Sequence, residues 1–242
     1  MSHKTQMNFF KTVIPFFEDL FRGKVIDIGS LDINGGPHTL LTPSEYVGVD
    51  LAPGPNVTLV SSGEKVSLPS GYFDVAMSSE CFEHNPEWRD TLRNMIRMVK
   101  PGGLVCFTCA TTGRAEHGTS RSDGGKSAPL AVELGQEYYE NVVGDDVALV
   151  VEDSEITNWF IEIEPLNHDL YFVGLKGQPS PAALAKFKSA KRLVKKRFRH
   201  GYVKGPALRK LFSRVGGSSG LAIFDWLKGY VDGLYGWLSS AK

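Results

Sequence analysis

Residues 24–36 read KVIDIGSLDINGG, and residues 46–50 read YVGVD. The first stretch is a short apolar run, Val25, Ile26 and Ile28, that passes into glycine. That is the pattern of a buried strand followed by a tight turn, where glycine lets the backbone approach a ligand closely. The second is a strand that ends in a carboxylate, Asp50, 21 residues after Gly29. A carboxylate about 20 residues beyond such a turn can accept hydrogen bonds from both hydroxyls of a ribose. The alternative is a glycine turn followed by an ordinary surface aspartate. The dinucleotide fingerprint is incomplete, because Gly29-Ser30-Leu31 lacks the second glycine that admits a pyrophosphate. A P-loop is absent too, since no Gly-Lys-Ser/Thr follows the turn at the required spacing. The turn therefore suits a nucleoside without a bound pyrophosphate.

Outward from this stretch the chain alternates strands and helices. Residues 7–22 carry Phe9, Phe10, Val13, Ile14, Phe16, Phe17, Leu20 and Phe21, an amphipathic helix bent at Pro15. Val57–Val60 reads as a third strand and Phe73–Met77 as a fourth. A helix is expected over 86–99, a turn at Lys100–Gly103 and a fifth strand over Leu104–Cys109. Residues 111–135 read as a long polar loop, which inside a compact domain is usually functional or disordered. A helix is expected around 135–150, then two strands, Trp159–Glu164 and Asp169–Lys176, joined at Pro165–His168. Such alternation predicts a mostly parallel sheet with helices on both faces, closed by an antiparallel hairpin.

Four segments, VIDIGS at 25–30, YVGVDL at 46–51, FDVAMSSECFEH at 73–84 and MVKPGG at 98–103, occur in this order. Together they resemble the successive motifs of class I S-adenosylmethionine-dependent methyltransferases, in the type 11 subgroup. The resemblance is strong over residues 24–110 and looser to 176. It implies a Rossmann-like α/β fold with a seven-stranded sheet and S-adenosylmethionine across the carboxyl ends of the first strands. It places Asp27 and Gly29 near the methionine part, Asp50 at the ribose and Glu64 near the adenine, with Ser30 and Leu51 as further cofactor-binding residues. Ser79 and Glu80 close the fourth strand facing the cofactor. The usual D/E-x-G-x-G-x-G turn here reads DIGSLDINGG, a departure in the loop itself.

A hydroxyl acceptor needs a base, most often histidine. His117, in the long loop after the fifth strand, is the first candidate, with His84 after the fourth strand as the second; Glu116 adjoins His117, and His168 reads as a turn residue. Each histidine also has a bland reading as a solvated or structural residue. Cys106 and Cys109 match C-x-x-C, but residues i and i+3 of a strand face opposite sides, so no metal is expected there. Asn56-Val-Thr58 is a glycosylation sequon without a preceding signal peptide.

Composition is that of a globular protein, with 42% hydrophobic and 22% charged residues. No run reaches the roughly 18 apolar residues of a membrane span, and three cysteines are too few for a disulfide framework. A cytoplasmic location follows as the expectation. Net charge is zero but lopsided: residues 178–242 hold 14 Lys and Arg against two acids, a net +12. This divides the chain into a domain over 1–177 and a basic, aromatic extension over 178–242, with a linker at 177–181. In the extension, Phe187, Leu193, Val194, Phe198 and Tyr202 interleave with the bases, and Ile223, Leu227, Tyr230, Leu234 and Trp237 recur at helical spacing.

Three readings of the extension stay open. Residues 186–238 can bind an anionic membrane surface, at the inner face of the membrane. They can bind nucleic acid. They can pack on the acidic domain or on a second subunit as a homo-oligomer. For the whole chain the expected activity is methylation of a sugar or other small hydroxyl acceptor, in the setting of surface-glycan assembly. The alternatives are an RNA or protein methyltransferase that grips its substrate with the basic tail, and a non-catalytic cofactor-binding regulator.

Overall fold

The computed structural model of the chain describes residues 4–204, with side-chain surroundings to Phe198. Seven strands form one sheet in the order β3-β2-β1-β4-β5-β7-β6. These are β1 Lys24–Ile28, β2 Glu45–Asp50, β3 Leu59–Val60, β4 Phe73–Ser79, β5 Val99–Ala110, β6 Ile156–Glu164 and β7 Asp169–Lys176. Strands β1 to β5 pair in parallel, and β7 pairs antiparallel with both β5 and β6. The sheet is the Rossmann-like, mostly parallel one expected, with its antiparallel hairpin at the edge. The third strand is shorter than its apolar run, and the turn at 100–103 is absorbed into β5 as a bulge opposite Phe73 and Val75.

Strand residues alternate between two cores. Ile26, Ile28, Ala76, Val105, Phe107 and Phe172 face one layer, where Trp88, Leu92, Met95 and Ile96 of α3 (Trp88–Met98) meet Val147, Val150 and Val151 of α5 (Gly144–Glu152). Val25, Val75, Met77, Leu104, Tyr171 and Val173 face the other. There Phe9, Phe10 and Val13 of α1 (Lys4–Val13) pack with Phe17 and Phe21, the latter in α2 (Glu18–Phe21). Pro15 stands in a short 3-10 turn between the two helices, as its missing N–H dictates. Cys106 and Cys109 fall in opposite layers, as strand geometry requires.

One expectation needs correction. The helix sought over 135–150 is instead two pieces, α4 (Pro129–Glu133) and α5. Gly135 has a positive φ of +65° and ends the first piece, and residues 136–143 run as extended chain that returns Val142 to the Ala110 carbonyl. The next helix packs across the boundary expected at 177. In α6 (Pro181–Lys204), Phe187, Ala190, Val194 and Phe198 are buried in the α1 layer, at the i, i+3, i+4 spacing of a core-facing stripe. Phe198 packs on the Tyr171 ring and Arg197 donates to Thr12 Oγ1. Phe187 and Phe198, read in the sequence as aromatics interleaved with bases, are here on the inner face of a helix packed on the domain. Its outer face exposes Lys186, Lys188, Lys191, Arg192, Lys195, Lys196 and Arg197. The apolar pattern over 223–238 lies outside the described residues.

Because Phe187 fills a closed core position, Phe187→Ala is expected to cost about 3–5 kcal/mol of stability. A lowered denaturant midpoint with unchanged slope is the check.

Candidate active site

Strands β1, β2 and β4 run parallel, so their carboxyl ends meet at one edge of the sheet. The chain leaves β1 toward β2 on one side and returns through β4 on the other. That switch in direction opens a crevice beyond the strand ends. The loop after β1 is folded by three strand-end groups. The Val49 carbonyl accepts from both Gly29 N, at 2.9 Å, and Ser30 N, at 3.0 Å. Gly29 takes a φ of +78°, and a Cβ on it would stand 2.5 Å from Cys81 Cβ, so only glycine fits. Asp50 then pins the loop: Oδ2 accepts Leu31 N at 2.9 Å and Oδ1 accepts Leu51 N at 2.8 Å. Further along, Asp32 accepts Gly35 N at 2.6 Å and meets His38 Nε2 at 3.3 Å. The departure from the usual glycine pattern is thus met by a carboxylate, Asp32, that folds the loop in place of glycine.

A cavity of about 770 Å³ occupies the crevice. Its wall takes in all eight residues singled out for a cofactor: Asp27, Gly29, Ser30, Asp50, Leu51, Glu64, Ser79 and Glu80. Each oxygen of Asp50 spends one lone-pair position on the backbone and retains another. Ser30 Oγ donates to the Asn56 carbonyl at 3.2 Å, and Glu64 accepts from Ser62 Oγ at 2.6 Å. Ser79 Oγ lies 3.3 Å from Thr108 Oγ1.

Two carboxylates on this wall are unusual. Asp27 is buried; Oδ2 accepts the Tyr46 hydroxyl at 2.8 Å, while Oδ1 has no hydrogen-bond partner among the described residues. Burial pushes its carboxyl up to about 7, against the opposing Tyr46 bond. Glu80, just past β4 with a φ of +53°, is also buried, and its Oε1 lacks a partner. Burial first, then the nearby Glu83 and Asp169, push its carboxyl well up. Buried polar atoms are nearly always bonded, so orphaned acids on a cavity wall signal a missing partner. The partner they suit is a cation with N–H donors, as an amino acid's ammonium supplies.

The catalytic candidates separate. His84 lines the cavity; its ring is mostly buried, which lowers its pKa. His117 does not line it. The loop doubles back at Gly118, whose φ is +72°, and packs His117 behind His84 with ring centroids 5.0 Å apart. There His117 Nε2 lies 3.7 Å from Oε1 of the fully buried Glu83. Glu116 pairs with Arg121 and Thr119, and His168 sits at the β6–β7 turn with Nδ1 3.0 Å from the Thr112 carbonyl. Sequence reasoning missed Glu83, which reads as a solvated charge between Phe82 and His84. It also missed the far wall of the cavity, built by residues 127–131 with Leu134 and 136–138.

Residues 27–107, about a third of the chain, match the family described as "Methyltransferase domain". No sequence among the curated proteins matches. Similar solved structures include the Burkholderia thailandensis 1,6-didemethyltoxoflavin-N1-methyltransferase with bound 1,6-didemethyltoxoflavin and S-adenosylhomocysteine. It is 14% identical, over 72% of this chain and 80% of that one, at a TM-score of 0.47. The N-methyltransferase NodS from Bradyrhizobium japonicum WM9 is 12% identical, over 71% and 93%, at 0.46. The CurJ carbon methyltransferase is 14% identical at 0.45, and the chain spans 49% of its length. The domain match over residues 27–107, with the motif order and the sheet, supports an S-adenosylmethionine-dependent methyltransferase of class I, type 11-like. The residues fit the cofactor: Asp50 for the ribose, and the orphaned Asp27 and Glu80 oxygens for the cationic methionine end.

Asp50→Ala is therefore expected to weaken S-adenosylhomocysteine binding by about 1.5–3 kcal/mol, roughly 10- to 150-fold. Calorimetry on folded protein is the measurement; unchanged affinity removes Asp50 from the site.

Proposed function

We propose that this chain, a class I S-adenosylmethionine-dependent methyltransferase, methylates a hydroxyl of a small, sugar-like acceptor. The observation that supports this is the continuity of the cavity. It runs from the strand-end carboxylates past His84 to a far wall rich in polar groups, among them Glu87, Ser127, Gln136 and Tyr138. At about 770 Å³ it has room for a nucleoside-sized ligand and a small second molecule. Hydroxyl-rich acceptors are recognised by such hydrogen-bonding groups. A macromolecular substrate asks for an open, basic groove instead. The basic row of α6 lies elsewhere, for no residue of α6 lines the cavity.

S-adenosylmethionine supplies a methyl group on a positively charged sulfur that leaves as a neutral thioether. The chain's contribution is to hold acceptor oxygen and methyl carbon in line and to keep water out. Residues 127–138 and the loop at 84–87 form the cover that does both. The hydroxyl proton is lost at the wall occupied by His84, which is backed by Glu83 and His117. We place surface-glycan assembly as the setting, in the cytoplasm. No helix among the described residues is long and apolar enough to cross a membrane. The exposed bases of α6 support contact with an anionic membrane surface on a face away from the cavity.

Purified enzyme with S-adenosylmethionine and a panel of sugar acceptors should yield a singly methylated product by mass spectrometry. His84→Gln should lower turnover roughly 10²–10⁴-fold with cofactor affinity unchanged. Methylation of RNA or protein, with every sugar left untouched, replaces this reading. The full chain should also sediment with anionic vesicles at low salt and release as salt screens the charge. Equal sedimentation with neutral vesicles rules out the electrostatic contact.

A further inference from the structure

Behind the acceptor end of the cavity, Glu83, His84 and His117 converge. One carboxylate oxygen and one ring nitrogen from each histidine all lie within 4.8 Å of one another. Glu83 is wholly buried, and neither of its oxygens accepts a hydrogen bond among the described residues. Its contact with His117 Nε2, at 3.7 Å, is longer than a hydrogen bond. A buried carboxylate left this way costs several kcal/mol unless something positive completes it.

The histidines are oriented by what their other nitrogens touch. His84 Nδ1 faces the Tyr138 carbonyl at 3.4 Å, and His117 Nδ1 faces the Ala115 carbonyl at 3.1 Å. A carbonyl accepts, so each Nδ1 carries the proton, and Nε2 is the atom left to each ring. His84 Nε2 is buried without a partner. When both imidazoles are neutral, two nitrogen lone pairs and a carboxylate occupy one small volume and repel one another. An imidazole fixed through Nδ1–H on a backbone carbonyl, with Nε2 free, is also the arrangement that supports a metal ligand from outside its coordination shell. The loop is built for this approach. Gly118 has a φ of +72°, and a Cβ there would stand 2.5 Å from His84 Cε1, so the Gly118 position admits no larger residue.

We propose that Glu83, His84 and His117 bind a divalent first-row transition ion of the zinc class. This rests on the reading of the cavity given above and deepens it. Two imidazoles and one carboxylate suit zinc, cobalt, iron or manganese better than magnesium or calcium, which prefer all-oxygen shells. Ligand atoms bonded at about 2.0–2.1 Å to a tetrahedral ion stand about 3.4 Å apart. The Glu83–His117 pair is already near that at 3.7 Å, and small ring rotations close the rest. Three protein ligands leave a position open, and His84 is on the cavity wall, so that position addresses the acceptor. A divalent ion there makes an acceptor hydroxyl more acidic and fixes its place. The competing arrangement is a protonated His117 paired with Glu83, with no ion. Burial raises the Glu83 carboxyl, but the two imidazoles outweigh it and bring it to about 2.

The test uses the full chain, freed of metal by chelation and dialysed. Cobalt(II) is titrated and followed in the visible range, and zinc(II) by competition. Expected is one tight ion per chain, with a visible spectrum free of sulfur-to-metal charge transfer. Glu83→Gln and His117→Gln should each weaken binding at least tenfold while S-adenosylhomocysteine affinity stays at its unsubstituted value. Absence of stoichiometric binding by protein that does bind S-adenosylhomocysteine overturns the proposal and leaves the methyltransferase reading standing. So does binding that survives both substitutions, or a spectrum dominated by sulfur ligation. Should the variants fail to fold, the stoichiometry and spectrum of the unsubstituted chain decide alone.

Discussion

Everything at the site depends on β1 being held in parallel register between β2 and β4. That pairing brings Asp27, the end of β2 at Asp50 and the residue after β4, Glu80, to one edge. It also places the Val49 carbonyl where Gly29 N and Ser30 N both reach it. The loop is then fixed by Asp50 through Leu31, before any ligand arrives. Three acids converging on one crevice oppose folding, since each must be desolvated and the charges repel. Such a site persists because the surrounding sheet overdetermines it, and because binding a cation offsets the cost. The buried carboxyls of Asp27 and Glu80, both pushed upward, mark where that cost is carried.

Much of this was legible in the sequence, for a specific reason. Parallel strands buried on both faces read as short apolar runs, and the residues that follow each run fall at the crevice by topology alone. Asp27, Gly29, Asp50 and Glu80 therefore follow from local pattern, without knowledge of any long-range contact. The same holds for the core, since alternation along β4 and β5 divides side chains between the α3 and α1 layers. Where local pattern carries less, reading fails. Residues 135–150 carry enough apolar residues for one helix, yet Gly135 takes a left-handed turn, Val142 is drawn to the Ala110 carbonyl, and the helix starts only at Gly144.

The acceptor side was illegible for a different reason. It is assembled from segments distant in sequence: 80–87, 117–118 and 127–138. Burial of Glu83 is a property of that assembly, which brings His117 back against it, and nothing in the order Phe82-Glu83-His84 announces it. His117 was expected to face the acceptor because its loop leaves the carboxyl end of β5. The left-handed turn at Gly118 reverses the chain and sets His117 behind His84 instead. Loop length predicts reach but not direction.

The basic helix shows how one pattern can carry two meanings. In α6, Phe187, Ala190, Val194 and Phe198 meet the core, while the intervening lysines and arginines stay exposed. Some of these charges find acids of the domain: Lys186 lies 3.6 Å from Asp19, and Lys191 and Lys195 stand near Glu162. Exposed pairs of this kind contribute about 0–1 kcal/mol each, whereas burying an aromatic ring contributes about 1.5–3 kcal/mol. The apolar stripe therefore attaches the helix, and charge complementarity is secondary to it. Of the seven exposed bases in this twelve-residue span, Lys186, Lys191 and Lys195 stand near acids and Arg197 donates to Thr12 Oγ1, contacts that reinforce a placement the apolar stripe has already made. Repulsion between like charges along one helix face is a small cost, of about the size of an i, i+4 pair. The apolar stripe thus decides where the helix sits, and the bases on its opposite face, away from the cavity, decide only the potential that face presents.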